Sequence, residues 1–187
     1  MDKREKLLQS ALELFVLQGF NDTPTSKIAK EAGIATGTLF YFFPTKDELI
    51  FSLYLKLKGQ AAESIKLALA GVQSTKEVIK TYYEESLKWS LLNPKEFAFL
   101  AQFSNSPYFK RIDADELLAQ TAPVLQLFRI AIEEQLIAVY DVNLLYALIS
   151  NQVFGVNQYL SSNTFSEKEQ HKIIEDTFSM FWRMIER

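Results

Sequence analysis

An all-α fold of about nine helices is predicted, and three observations predict it. Only six glycines and five prolines occur among 187 residues, and there is no Asn-Gly or Asp-Gly dipeptide. Hairpin turn chemistry is therefore nearly absent. Apolar residues recur at helical spacing almost end to end. Capping residues punctuate that pattern. At 48% hydrophobic and 23% charged the composition is that of a globular chain, long enough to bury a sizeable core.

The same composition excludes much chemistry. With no cysteine there is no disulfide framework, thiolate metal site or cysteine nucleophile. A single histidine, His171, excludes multi-histidine zinc sites. It falls in a polar segment and reads as a solvated surface residue. No run approaches eighteen apolar residues, and Met1–Ser10 is a charged, helix-patterned start unlike a signal peptide, so a cytoplasmic location and no membrane partner are expected. A net charge of −3 gives no hint of nucleic acid.

The elements follow in order. The first helix starts after Asp2, with Glu5 completing a capping box, and runs through Leu7, Leu8, Ala11, Leu12, Leu14 and Phe15 to a stop at Gly19. Thr23-Pro24 reads as an N-cap with proline at the first helical position, opening a short helix that Gly33 ends. Another short helix, Thr36–Phe42, stops before Pro44. Thr45 and Glu48 form a second capping box, opening a long helix to about Ala70. Longer helices follow near Thr75–Leu92, ending at Asn93-Pro94, and at Lys95–Phe103, broken by the Ser104–Pro107 loop. The next begins near Asp113 or at Thr121 and reaches about Val139, with Pro123 as a kink or a restart. Asp141 caps Val142–Ser161, and a third box, Ser166 with Glu169, opens the last helix, to Arg187.

Two short helices joined by a glycine-containing turn, after a longer one, make a helix-turn-helix. Core packing accounts for Ile28, Ala29, Ala32, Ile34 and Leu39. It does not explain why Ala35-Thr36-Gly37-Thr38 is small and polar before Leu39-Phe40-Tyr41-Phe42-Phe43. A recognition helix needs small residues at its start so that the backbone can approach base edges in the major groove. Threonine suits that place, with a hydroxyl for bases or phosphates and a methyl for thymine. Periodicity alone leaves DNA reading and plain helical packing evenly balanced.

The stretch from Gly19 to Leu49, including Thr25-Ser26-Lys27-Ile28-Ala29, Ala32-Gly33, Thr36-Gly37-Thr38-Leu39-Phe40-Tyr41-Phe42-Phe43-Pro44 and Lys46-Asp47-Glu48-Leu49, closely resembles the DNA-binding domain of the tetracycline-repressor (TetR) family. The resemblance covers about the first fifty residues; the rest matches in length and helical character. It implies a homodimeric regulator, usually a repressor released from DNA by a small ligand. The organisation expected from it is a three-helix helix-turn-helix domain at 1–48 and a ligand-binding and dimerisation bundle at 49–187. By position, Thr25 and Ser26 correspond to phosphate-binding residues, and Thr36, Gly37, Thr38 and Tyr41 to base-edge and backbone contacts. Lys46 corresponds to a phosphate clamp. There the physics agrees, because the first turn of a helix already favours an anion.

Phe40 and Phe42 stand where the family often carries polar-tipped Tyr or His, so they are candidate packing residues or apolar contacts to thymine methyls. Ala35 stands where a capping serine is frequent, removing a cap and a contact together. Residues 1–50 carry six Lys/Arg and seven Asp/Glu, so the segment is not basic. Even so, Ala32–Thr45 contains no acidic residue and is flanked by Lys27, Lys30 and Lys46. An uncharged reading surface with basic edges predicts few phosphate contacts and a shallow salt dependence.

Beyond residue 50 the chain is rich in aromatics, eight of them between Tyr82 and Phe109. An aromatic stripe at helical spacing is usually core, yet Trp and Tyr also suit a pocket for an apolar or aromatic molecule. The resemblance implies such a pocket, with Tyr83, Trp89, Phe103, Tyr108 and Phe128 as candidates and Ser86, Ser90 and Gln102 as possible orienting groups. In the last two helices, Leu145, Leu148, Gln152, Gly155, Val156 and Tyr159 share one face, as do Ile174, Thr177, Phe178, Phe181 and Ile185. Intrachain packing and dimerisation fit that pattern equally. The family's four-helix dimer interface favours Gln152, Gly155, Val156, Tyr159, Phe178 and Phe181 as dimer residues.

The expected partners are an operator in double-stranded DNA, a small-molecule effector and a second copy of the chain. No cofactor, metal or catalytic residue is expected. There is no Gly-rich phosphate loop or nucleophile motif, and Glu84-Glu85 and Glu133-Glu134 are adjacent pairs whose members diverge on a helix. The alternatives are a helical small-molecule-binding protein whose helix-turn-helix is incidental, and an activator using the same sites.

Overall fold

The computed structural model describes residues 2–187; Met1, part of the expected charged start, lies outside the described residues. Among them are nine α-helices and no strand: α1 Lys3–Gln18, α2 Thr25–Glu31, α3 Thr36–Phe42, α4 Lys46–Ala68, α5 Thr75–Leu92, α6 Pro94–Ser104, α7 Ala114–Glu133, α8 Val142–Ser161 and α9 Glu167–Ile185. A 3₁₀ turn, Phe109–Arg111, lies between α6 and α7. Packing divides the chain into two compact units, one of residues up to 60 together with 93–112, the other of 61–92 with 113–187.

Several boundaries follow the predicted caps. Gly19 closes α1 at φ +80°, its N–H donating to Phe15 O at 2.8 Å, and Gly33 adopts φ +65° beyond α2, a left-handed conformation that glycine alone adopts freely. Asp113 caps α7 by accepting from the amides of Asp115 and Glu116, so the helix begins there and Pro123 lies inside it. Asp141 caps α8 in the same way. Ser166 and Glu169 form a full reciprocal box at α9.

Three local expectations are corrected. Asp2 makes no side-chain cap bond, and Glu5 instead pairs with Lys56 of α4. Thr23 does not cap α2, whose N-cap is Pro24. Its buried hydroxyl lies 2.7 Å from Gly19 O and 3.3 Å from Leu14 O, satisfying carbonyls at the end of α1. Finally, α7 ends at Glu133, short of Val139, because Gln135 turns left-handed at φ 58°. The strand-like segment beyond it pairs with the chain end, Ala138 N–H donating to Ile185 O at 2.9 Å.

In the first unit, α1 packs on α2, α3 and α6. Leu7, Leu8, Ala11, Phe15, Ile28, Ala29, Leu39, Phe43 and Leu49 are buried. An aromatic cluster extends this core: Phe20 meets Phe15, Phe99 and Tyr108 edge-on at 5.3–5.5 Å, and Phe103 stacks on Tyr54 at 4.3 Å. In the second unit, α5 packs on α7, α8 and α9. Polar ties cross its interior: Tyr83 Oη donates to Thr177 Oγ1 at 2.9 Å, Gln152 Nε2 to Thr177 O at 2.6 Å, and Asn157 Nδ2 to Ser90 Oγ at 2.8 Å. Among the described residues, no helix is long and apolar enough to cross a membrane.

Candidate nucleic-acid interface

The reading segment is held by a few buried residues that leave the rest of it outside. On α3 only Leu39 is fully buried, with Phe43 just beyond it. The Arg4 guanidinium lies over the Phe43 ring at 5.2 Å, fixing the end of α3 from α1. Because helical residues three and four apart share a face, burying Leu39 and Phe43 turns the other side outward. Thr36, Gly37, Phe40 and Tyr41 are exposed, Tyr41 by 81% and Phe40 by 45%. Thr38 and Phe42 are half-buried, Phe42 meeting Tyr41 edge-on at 5.3 Å. A β-carbon at Gly37 would meet nothing within 4 Å. No side chain caps α2 or α3.

Basic groups border this face. On α2, Thr25 is half-buried while Ser26, Lys27 and Lys30 are exposed, with Lys27 Nζ donating to Gln18 Oε1 at 2.9 Å. At the start of α4 the Thr45 hydroxyl accepts from Glu48 N–H at 3.1 Å, one half of the predicted box. Lys46 is half-buried there, and desolvation lowers its pKa against the opposing pull of Asp22 and Asp47. An anion at this helix start would offset that desolvation. Arg111 Nη1 donates to Asp47 Oδ2 at 2.8 Å, and its guanidinium lies 5.4 Å from the Tyr108 ring centre. All nine predicted DNA-contact positions thus fall in one unit, on α2, α3 and the first turn of α4.

The predicted ligand residues divide between the units. Phe103 and Tyr108 belong to the aromatic cluster of the first. Tyr83, Trp89 and Phe128 lie in the second, Tyr83 against Phe178 and Phe128 against Phe181. Sequence spacing carries no signal for that division. Beside the first cluster, Gln102 Oε1 is buried without a hydrogen-bond partner.

The predicted dimer residues divide likewise. Phe178, Phe181 and Val156 are buried within their own unit, and Gln152 is tied to Thr177 O. Gly155 and Tyr159 are exposed, and no atom of the chain would come within 4 Å of a Gly155 β-carbon. On these two helices the large apolar side chains left in water are Leu144, Leu148 and Tyr159 on α8 and Met180 and Met184 on α9. Sequence reasoning missed Leu144 and the two methionines. The i, i+4 spacing of Leu144 with Leu148 and of Met180 with Met184 was the available signal.

Known proteins share the N-terminal sequence pattern and the fold. Residues 7–53 match the family described as bacterial regulatory proteins, tetR family. The fatty acid metabolism regulator protein of Bacillus subtilis is 31% identical over 102 residues, 53% of this chain and 47% of that protein, so the chain covers about half of that relative's length. The HTH-type transcriptional regulator QacR of Staphylococcus aureus is 23% identical over 173 residues, 90% of this chain and 91% of QacR. A crystal structure from Shewanella sp. PV-4, assigned to the tetR family of transcription regulators, superposes over 100% of both chains with a TM-score of 0.92 at 28% identity. These relatives are transcriptional regulators, a non-enzymatic class. Residues 7–53 thus match the tetR family of bacterial regulatory proteins, and the whole chain is similar in fold to a transcription regulator assigned to that family.

Proposed function

We propose that the chain is a homodimeric transcriptional repressor that binds a palindromic operator and is released from it by a small, largely apolar or aromatic effector. The observation that carries this is the outward face of α3. Thr36, Gly37, Thr38, Phe40, Tyr41 and Phe42 are presented with no acidic side chain among them, bordered by Lys27, Lys30 and Lys46. In this reading residues 1–48 read DNA and 49–187 bind ligand and dimerise. Thr25, Ser26 and Lys46 hold phosphates, while α3 enters the major groove.

A two-fold dimer would place two copies of α3 in successive major grooves, half-sites about one turn (~34 Å) or slightly more apart. The free apolar side chains of α8 and α9 support a dimer contact there. Open space over Gly155 leaves room for a partner helix. For the effector, aromatic side chains are available in each unit taken by itself, Tyr83, Trp89 and Phe128 in the second and Phe103 and Tyr108 in the first. The unpartnered Gln102 Oε1 supplies an acceptor for a polar group on an apolar molecule. A relative named for fatty acid metabolism is in keeping with such a ligand. Ligand acts by its differential affinity for the dimer whose reading heads no longer match the half-site spacing. The chain works in the cytoplasm.

Selection from random duplexes at moderate salt tests the reading. It should enrich a palindrome, and an unenriched pool would refute DNA recognition.

A further inference from the structure

The chemistry of α3 restricts what it can read. In the major groove guanine is recognised by bidentate Arg or Lys, adenine by Asn or Gln, and the cytosine amino group by Asp or Glu. Between Ala32 and Thr45 none of these six residue types occurs. What α3 presents instead is apolar surface with a few hydroxyls: the exposed Phe40 ring, the exposed Tyr41 ring, Thr36, and the half-buried Thr38. The lysines at its borders sit on α2 and at the start of α4, where the proposed contacts are to phosphates.

Only one group on a major-groove base edge is apolar, the C5 methyl of thymine. Leu39 and Phe43 already anchor α3 to its own unit, so the fold does not need Phe40 and Tyr41 in its core. Their exposure leaves two large rings to be desolvated by whatever α3 docks against. An open surface at Gly37 lets the helix start come close to the base edges. Both kinds of pair carry amino, carbonyl and N7 groups on this edge, whose desolvation under a ring costs energy, but only an A·T pair adds a methyl whose burial against the ring offsets that cost.

From this we infer that the half-site under α3 is rich in A·T pairs, and that Phe40, with Tyr41, recognises it through thymine methyl groups. The inference rests on the DNA-binding reading and names what that reading recognises.

Uracil replacement tests it without altering the protein. In the selected operator each thymine of a half-site is replaced singly by deoxyuridine, which removes the methyl and keeps the base pair. At one or more positions under α3 the wild-type chain should bind about three- to fivefold more weakly, the loss expected for one buried methyl. In Phe40→Ala, thymine and uracil should be bound alike at the position that Phe40 covers. Equal binding of every uracil duplex by the wild-type chain would overturn the inference while leaving operator binding intact, as would a G·C-rich selected half-site. Uracil discrimination that survives in both Phe40→Ala and Tyr41→Ala would overturn the assignment to these rings. Failure to select any operator is a different result, because it removes the DNA-binding reading itself.

Discussion

Both compact units leave apolar side chains in water, but of different kinds and in different settings. In the first, apart from Leu17 on α1, they are the Phe40 and Tyr41 rings on a seven-residue helix with no side-chain cap, among threonines and glycine, bordered by lysines. In the second, beside exposed side chains elsewhere such as Leu67, Leu92, Leu118 and Val139, Leu144, Leu148, Tyr159, Met180 and Met184 gather on two long helices, each with a side-chain N-cap. Scattered rings beside hydroxyls and cations fit a polar, anionic partner that offers a few methyl groups. Aliphatic and methionine side chains in i, i+4 rows fit another helix pair. Exposed apolar area alone therefore does not distinguish a nucleic-acid face from a protein face. The surrounding polar chemistry and the length of the supporting helix do.

Breaking the second surface should have the largest effect. Leu148→Glu combined with Met184→Glu places two carboxylates where the dimer reading buries apolar area. Sedimentation should then report a monomer of unchanged helicity. Operator affinity should fall about a hundredfold or more, because each half-site contact loses the effective concentration supplied by its twin. A double variant that stays dimeric would move the dimer contact away from α8 and α9.

The first unit is sharpened by two smaller effects. Thr23→Val keeps the shape of a buried side chain but leaves the carbonyls of Leu14 and Gly19 without its hydroxyl. It should lower stability by about 1–2 kcal/mol in denaturant titration. Lys46→Ala should weaken binding about tenfold on every operator sequence and make the salt slope shallower by about one unit, the signature of a lost phosphate contact. A change of base preference in that variant would place Lys46 on a base edge. In the second unit, Tyr83→Phe removes a hydroxyl bonded to Thr177 Oγ1. Thr177 keeps its own bond to Ile173 O, so the cost should be about 1 kcal/mol, read as a fall in melting temperature.

What was legible in the sequence was local. Asp113, Asp141 and Ser166 cap helices because each needs only amides two or three residues away, and Gly19 and Gly33 stop helices through their own backbone freedom. Thr23 and Glu5 were misread because their partners are set by tertiary structure. The threonine finds carbonyls at the end of the preceding helix, and the glutamate finds Lys56, fifty-one residues on. The proposed DNA-contact positions stand out as a motif, since they lie within one short segment, and the structure gathers them in one unit. The aromatic residues were not: Phe103 and Tyr83 sit at equally helical spacing, and only packing places them in different units. On α9 the exposed Met180 and Met184 share the outer face with charged residues such as Lys172, Asp176 and Arg183, so their apolar character alone did not separate them from the buried Phe178 and Phe181.

The smallest effect separates the units by how each holds a surface carboxylate. Lys95 donates to both oxygens of Glu13 at 2.6 and 2.7 Å, and this bond, with the lysine charge, holds the Glu13 pKa below its ordinary 4.5. In the second unit Glu169 is lowered by hydrogen bonds from the side chain and backbone of Ser166. Both pKa values are depressed in the folded state, so each contribution is present above the unfolded carboxyl value and is lost as pH falls through the folded one. Salt tells them apart. Glu13 and Lys95 are 42% and 57% exposed, so their pairing is worth only about 0.2–0.5 kcal/mol and is screened as ionic strength rises. The Ser166 box joins a carboxylate to neutral donors in direct contact, which salt screens far less. The stability difference between wild type and Glu13→Gln should therefore be present at neutral pH in low salt, and should vanish either in acid or at high salt. For Glu169→Ala the difference should shrink in acid but persist at high salt. Equal salt sensitivity of the two would mean that the box at α9 acts through charge and the helix dipole more than through its hydrogen bonds.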